Sequence, residues 1–222
     1  MFFQRVIPFT IVALAALLCS CDTPTEPLIG AWQQITARDS GVPSERAPVY
    51  RACVPNYWIR HDPDGNTSIV DTTLPLCDFT ITDAGGSITI AVHNFPYDTL
   101  EQRIHPSAQV ARWRRQLIDT DAATVAIQPY GHGGYAGLQF EATGTFLGAS
   151  DITILAWAMQ LSREHFRNLQ RGGTIEQRRF DRQQRGDYTI KAYGPRATLA
   201  RYRRDIEDFA RSFELIAEVP SK

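Results

Sequence analysis

The sequence lacks several features that define particular classes of protein. Its longest apolar run falls short of the ~20 residues of a membrane-spanning helix, which excludes a polytopic membrane protein. The net charge is only -1 at pH 7, so there is no overall basic field to attract nucleic acid. Lysine is nearly absent, because Lys191 and Lys222 are the only lysines among 23 basic residues. Cysteine is scarce as well, with four in 222 residues.

Motifs for the common catalytic and metal sites are also missing. No GxSxG serine elbow occurs, and Glu164-His165-Phe166 lacks the second histidine of an HExxH zinc site. The glycine-rich segment 131–136 formally matches GxGxxA, but strand-like residues follow it, so no helix N-terminus could receive a phosphate. The segment therefore predicts a turn, with a ligand-binding loop as the alternative. We predict no catalytic residues, no metal and no cofactor.

The first residues of the chain are typical of an export signal. One positive charge in Met1–Arg5 precedes Val6–Leu18, which is almost without polar residues. As a helix this stretch would span ~20 Å, which is short of the ~30 Å hydrocarbon core of a bilayer. Residues 1–20 are therefore predicted to be a cleavable signal peptide rather than a membrane anchor.

The end of this segment, Leu18-Cys19-Ser20-Cys21, resembles the lipobox of bacterial lipoproteins. That resemblance implies that Cys21 becomes the first residue and carries diacylglycerol and a further acyl chain such as palmitate. Two or three acyl chains hold a protein at a bilayer essentially permanently. Residues 21–27 would form a short lipidated tether, and Asp22 resembles a signal for retention on the inner membrane. The alternative is an ordinary cleavable signal that happens to contain cysteine.

Two cysteines would remain in the mature chain, Cys53 and Cys77. Because an exported protein meets an oxidising compartment, we expect a disulfide bond between them. It would close a loop of about 25 residues and stabilise the fold by ~3 kcal/mol. Two buried free thiols, or one reactive cysteine, are the alternatives.

Residues 28–222 are predicted to form one α+β domain. Alternating or continuous apolar patterns indicate strands at Leu28–Ala37, Ala47–Arg60, Asp78–Thr82, Ser87–His93, Thr124–Gln128, Gly137–Ala142, Asp151–Ser162 and Asp187–Tyr193. Apolar residues at alternating spacings of three and four indicate amphipathic helices at Pro106–Ile118 and Ala197–Ile216. Helices at two places along a run of hairpins predict an antiparallel sheet flanked by helices.

Two motifs resemble the PsbP-like family. One is Val54-Pro55-Asn56-Tyr57-Trp58, and the other is a closing strand, Gly-Pro and helix that ends in Arg211-Ser212-Phe213. The resemblance covers most of residues 47–216 and implies an α/β/α sandwich that acts as a non-catalytic binding or assembly module. It transfers no catalytic residues. The departures from the family are the Cys53 and Cys77 pair and a basic insertion before the last strand.

The basic insertion has seven arginines against three acidic residues. The arginines are Arg163, Arg167, Arg171, Arg178, Arg179, Arg182 and Arg185. The planar guanidinium suits phosphate and carboxylate, so near a bilayer this segment could contact anionic headgroups or an acidic envelope protein. The alternative is a solvated segment without a partner.

The sequence therefore predicts a membrane-anchored envelope lipoprotein that acts as a non-catalytic binding or assembly module. We expect it at the periplasmic face of the inner membrane, with the outer membrane as the alternative location. Its expected partner is the bilayer, through acylated Cys21, and nucleic acid is not expected. Two other functions stay open, an envelope hydrolase that acts on cell-wall material and a surface-exposed adhesin-like lipoprotein.

Overall fold

The computed structural model describes residues 30–36, 48–63, 73–95, 97, 99–169, 174–175 and 186–216. The strands are β1 (Gly30–Thr36), β2 (Pro48–Pro55), β3 (Ile59–His61), β4 (Cys77–Asp83), β5 (Gly86–Phe95), β6 (Ala126–His132), β7 (Tyr135–Phe146), β8 (Ala149–Leu161), β9 (Asp187–Pro195) and β10 (Glu214–Leu215). The α-helices are α1 (Pro106–Gln116), α2 (Arg163–Leu169) and α3 (Arg196–Ser212).

Seven of these strands form one antiparallel sheet in the order β3-β4-β5-β9-β8-β7-β6. Two runs of sequential neighbours, β3-β4-β5 and β6-β7-β8-β9, meet where β5 pairs with β9. A second sheet holds β1, β2 and β10. The predicted antiparallel α+β class is therefore confirmed.

The large sheet is covered on both faces, as the side-chain alternation along β8 shows. Leu155, Trp157 and Met159 belong to the core beneath α3 and the small sheet. Ile154 and Ala156 point to the other face and pack with α1. Because residues one apart on a strand face opposite ways, a strand buried on both faces is apolar throughout. The helices therefore flank the sheet on both sides, which is the predicted sandwich.

The helix α1 begins where its sequence predicts. His105 is the N-cap, and its Nδ1 accepts a hydrogen bond from the backbone N–H of Ser107 at 3.3 Å. Pro106 occupies the first turn, where its missing N–H costs nothing. Val110 and Trp113 are buried against the sheet, so the predicted amphipathic helix is confirmed.

The last helix, α3, ends earlier than the periodicity predicts. Its apolar stripe packs into the core, with Phe209 and Phe213 fully or almost fully buried. However, the helix stops at Ser212, because the next residues extend to form β10 and pair with Arg51 and Tyr50 of β2. The predicted continuation to residue 216 is therefore wrong.

Val54, Trp58 and Phe213 of the motifs that resemble the PsbP-like family are core residues. Val54 is fully buried, and β2 ends at Pro55, so the predicted strand Ala47–Arg60 is divided into β2 and β3. Trp58 is 6% exposed, with its ring centroid 5.2 Å from that of Phe209. These side chains support the packing of α3 rather than a site.

The expected disulfide bond is not formed, since Cys53 and Cys77 are both buried free thiols. They lie in different sheets, with Cys53 opposite Trp32 and Cys77 opposite Val92. Cys77 belongs to the core beneath α3. Because Ala52 and Val54 of β2 face that core, the alternation of the strand turns Cys53 away from it. The structure therefore corrects this prediction in favour of two buried free thiols.

Candidate functional site

A concave site lies between α3 and the β6-β7-β8 end of the sheet, and we call it the α3 cleft. Its volume is about 350 Å³. It is lined by Ala126, Gln128, Tyr130, Gln139, Glu141, Trp157, Arg203, Glu207 and Arg211. The helix residues are spaced four apart, which places them on one flank of α3. Among the strand residues, Trp157 belongs to the core beneath α3, whereas Gln128, Gln139 and Glu141 make the lining polar.

Arg203 joins the helix to the sheet across this cleft. Its Nη1 and Nη2 donate to Glu141 Oε1 and Oε2 at 2.7 and 2.6 Å. Its Nε donates to Glu207 Oε1 at 2.8 Å. Hydrogen bonding to Glu141 is the main cause that raises the pKa of Arg203 above its ordinary value. One guanidinium therefore binds both carboxylates of the cleft.

Apart from Arg211, whose guanidinium donates to Asp208 on the same helix, the remaining polar groups of the cleft are uncharged. Gln128 and Gln139 make no side-chain hydrogen bond to any other described residue. Trp157 is 1% exposed, and its indole N–H has no acceptor within the described chain. Burial is the largest cause that raises the pKa of the Tyr130 hydroxyl, so this group stays protonated. The cleft thus offers several neutral hydrogen-bond donors and acceptors beside the ion-pair cluster of Arg203, Glu141 and Glu207.

The glycine-rich segment forms the hairpin turn between β6 and β7. Gly133 and Gly134, both with positive φ, connect β6 to β7. No helix follows them, because Tyr135 begins a strand. The predicted turn is therefore confirmed, and a phosphate-binding loop before a helix is not formed here.

The structure places only part of the predicted surface arginines. Arg163 and Arg167 lie on α2 and are exposed. The other predicted contact residues, Arg171, Arg178, Arg179, Arg182 and Arg185, lie outside the described residues, as does Cys21. None of the helices within the described ranges has the length and hydropathy needed to cross a membrane. Nor do three or more His, Cys, Asp or Glu side chains of this part of the chain gather as metal ligands.

Sequence reasoning missed the α3 cleft, although a signal for it was present. Arg203, Glu207 and Arg211 repeat every four residues along the flank of the apolar stripe of α3. Polar residues also alternate on the facing strands, as Gln139 and Glu141 show. Each pattern alone is typical of a solvated face. The flank of α3 and the polar strand residues meet only in the folded structure, because the helix and these strands are distant in sequence.

Comparisons with known proteins give similarity in structure only. No family model and no curated protein matches the sequence. Similar solved structures include the solution structure of cyanobacterial PsbP (CyanoP) from Synechocystis, which is 16% identical with a TM-score of 0.45 over 89% of this chain and 98% of that one. They also include the crystal structure of LpqN, involved in cell envelope biogenesis of Mycobacterium tuberculosis, which is 11% identical with a TM-score of 0.49 over 83% of this chain and 90% of that one. At such values neither neighbour carries an activity or a partner over to this chain.

Proposed function

We propose that this protein is a lipid-anchored envelope protein that binds a polar ligand in the α3 cleft without catalysing a reaction. The observation that carries the proposal is the position of Arg203, which holds Glu141 and Glu207 together. A general acid or base must be free to exchange a proton with its substrate. Carboxylates that accept from the same guanidinium are poor candidates for that exchange, which favours binding over hydrolysis.

The groups left free in the α3 cleft favour an uncharged, hydrogen-bonding ligand. The side-chain amides of Gln128 and Gln139 can each donate and accept. The buried indole N–H of Trp157 gains an acceptor when a ligand arrives, and an unpaired buried donor costs ~1–3 kcal/mol. A strongly charged ligand would instead have to displace the contacts of Arg203.

The envelope location rests on the lipobox resemblance at Cys21. Acylation there would place the folded residues close to the periplasmic face of the inner membrane, or on the outer membrane. The basic insertion that starts at Arg163 would then lie near anionic headgroups, where each arginine contributes ~1 kcal/mol.

The anchor is tested by metabolic labelling with palmitate in a bacterial host. The wild-type chain should incorporate label and fractionate with membranes, and Cys21→Ala should lose both properties. Cys19→Ala is the matched control, because it removes a cysteine that the signal peptide takes with it. A full-length, unlabelled wild-type chain in the cytosol would overturn the envelope location.

The binding function is tested by recovering the wild-type chain from envelopes in mild detergent and identifying co-purifying small molecules by mass spectrometry. Arg203→Met should lose the bound molecule, since the α3 cleft loses the group that orders its walls. Arg204→Met is the matched control, because Arg204 is 66% exposed and contacts Asp208 from outside the cleft.

Release of cleaved cell-wall products by the wild type, lost in Glu141→Gln, would instead establish a hydrolase. Removal of the domain from intact cells by added protease would establish a surface-exposed protein.

A further inference from the structure

A second concave site lies on the opposite face of the large sheet from the α3 cleft, and we call it the α1 pocket. It lies between α1 and the strands β5 and β9, and its volume is about 160 Å³. Its walls include His93, Gln109, Arg112, Trp113, Thr189 and Lys191. None of the described residues that line it is acidic.

Lys191 is the central charge of this pocket. It lies on β9, the middle strand of the sheet, between Ala91 and Ala156 of the neighbouring strands. Its ammonium nitrogen is 5.2 Å from the ring centroid of Phe146 and 5.4 Å from that of Tyr193. Burial, with a smaller contribution from the charge of Arg112, lowers the pKa of Lys191 below its ordinary value.

The positive charge of Lys191 has no anionic partner among the residues that the structure describes. None of the ion pairs among the described residues includes Lys191 or Arg112. Proteins rarely keep a largely buried cation without a carboxylate, because its desolvation is then uncompensated. The aromatic rings beside Lys191 offset only part of that cost.

Gln109 supplies an independent sign that the pocket takes a hydrogen-bonding ligand. It is 4% exposed, and its side-chain Nε2 finds no acceptor among the described residues. Buried amide groups are satisfied in the great majority of native structures. Gln109 lies one helical turn before Arg112 on α1, so both line the same wall of the pocket. An ammonium, a guanidinium and an amide thus meet in one concave site that contributes no carboxylate.

We propose that the α1 pocket binds a small oxyanion, the phosphate or carboxylate group of its ligand. The group accepts from the ammonium of Lys191 and the amide of Gln109, and Arg112 covers it from the exposed side. The volume of the pocket leaves room for a few atoms attached to the oxyanion. This site is separate from the α3 cleft, and its occupancy does not depend on the function proposed for that cleft.

The test measures thermal unfolding and calorimetric binding of the full chain with sodium phosphate and with sodium acetate at constant ionic strength. The wild type should show saturable binding of at least one of the two anions. Lys191→Met should lose it, and Arg112→Gln should weaken it about ten- to a hundredfold, as expected for a lost charge-assisted hydrogen bond. Arg115→Gln is the matched control, because Arg115 lies exposed on the same helix outside the pocket.

A folding defect is distinguishable from the loss of binding. Without added anion, Lys191→Met should unfold at the same temperature as the wild type or higher, because it removes an unpaired, largely buried charge. Phosphate also stabilises proteins by exclusion from their surfaces, but that effect does not saturate and is equal in all variants. The indole N–H resonance of Trp113 should shift on binding, whereas that of exposed Trp32 should not.

A third arm identifies the source of the oxyanion by using a short-chain, soluble phosphatidylglycerol. Binding tighter than that of inorganic phosphate assigns the pocket to a lipid headgroup, and weaker binding assigns it to a free anion. The proposal is overturned if neither phosphate nor acetate binds saturably. It is also overturned if Lys191→Met responds to both anions as the wild type does.

Discussion

Arg103 and Asp187 form a buried, two-pronged ion pair that joins the chain before α1 to the first residue of β9. Arg103 Nε donates to Asp187 Oδ2 at 2.9 Å, and the two side chains are only 7% and 5% exposed. The carboxylate also accepts from the backbone N–H of Leu161 at 3.0 Å and from the Tyr97 hydroxyl at 3.2 Å. Burial is the largest cause of a raised pKa for Asp187, and the hydrogen bonds from Arg103 oppose it. Three distant segments of the chain are thus fixed at one carboxylate.

Removing Asp187 should therefore cost far more than removing a surface partner. Asp187→Ala removes the carboxylate that compensates the buried charge of Arg103, which lowers the free energy of unfolding by ~3–5 kcal/mol. Urea unfolding at neutral pH measures the loss. In the exposed pair with Arg60, the matched change Asp62→Ala should cost under ~1 kcal/mol.

The double variant Arg103→Met with Asp187→Asn separates charge from hydrogen bonding. The amide oxygen of asparagine still accepts from Leu161, and no charge is left buried, so most of the stability should return. If the double variant is as unstable as Asp187→Ala, the attraction between the two charges itself stabilises these segments. Avoiding an uncompensated buried charge would then not be enough to restore stability.

The two thiols should react slowly and in a fixed order. Burial raises the pKa of Cys77 to about 12, and it also raises the pKa of Cys53, which is 8% exposed. Because the thiolate is the reactive form, alkylation of the native protein should reach Cys53 first and Cys77 only on unfolding. Peptide mapping by mass spectrometry follows each site.

The same measurement decides whether the free thiols persist in the cell. Protein isolated from envelopes and unfolded without reductant should be alkylated at both Cys53 and Cys77. Labelling of the two sites only after addition of a reductant would show that they pair with each other or with another molecule in the native compartment.

Local sequence patterns predicted most of the individual strands and helices of this fold, but they did not predict which strands pair with each other. The continuous apolar run of Asp151–Ser162 predicted a buried strand, and β8 is buried because α1 and α3 cover its two faces. The middle strand is nevertheless β9, and its partner β5 lies far away in sequence. Periodicity reports which face is apolar, but the choice of partner depends on contacts between distant segments.

The candidate sites likewise depend on contacts between distant segments that local sequence patterns do not predict. Glu141 and Arg203 are 62 residues apart, and nothing in either local pattern indicates that they meet. The pair Cys53 and Cys77 was expected from compartment and number alone, which cannot place two strands in one sheet or two side chains on one face. Lys191 lies in a strand whose alternation was predicted, yet the lack of a carboxylate opposite it is visible only in three dimensions.

The aromatic contacts of α3 should dominate the stability of the core beneath it. Phe209 is fully buried, with ring centroids of Trp58 and Phe79 at 5.2 and 5.3 Å. Phe209→Ala should lower the free energy of unfolding by ~3–5 kcal/mol, because it removes apolar contacts and leaves a cavity. Phe209→Leu keeps most of the volume and should cost clearly less in the same urea titration. Equal losses would show either that neighbouring side chains fill the cavity in Phe209→Ala or that stability depends on the geometry of the ring rather than on its volume.

The turn between β6 and β7 can be tested against a second glycine of the same backbone conformation. Gly134 and Gly148 have nearly equal backbone angles, φ of +81° and +82°. An added Cβ at Gly134 would lie 2.4 Å from Nδ1 of His165, whereas at Gly148 it would meet no heavy atom of the described residues within 4 Å. Both substitutions to alanine carry the ~1–2 kcal/mol of a left-handed backbone.

Only Gly134→Ala adds a collision with a side chain, so it should lose more stability than Gly148→Ala in thermal unfolding. His165→Ala in the background of Gly134→Ala should remove that extra loss, because the double variant keeps the backbone strain without the collision. If the two single variants unfold at the same temperature, the ring of His165 can move aside freely, and the packing of α2 against the β6–β7 turn is looser than these distances imply.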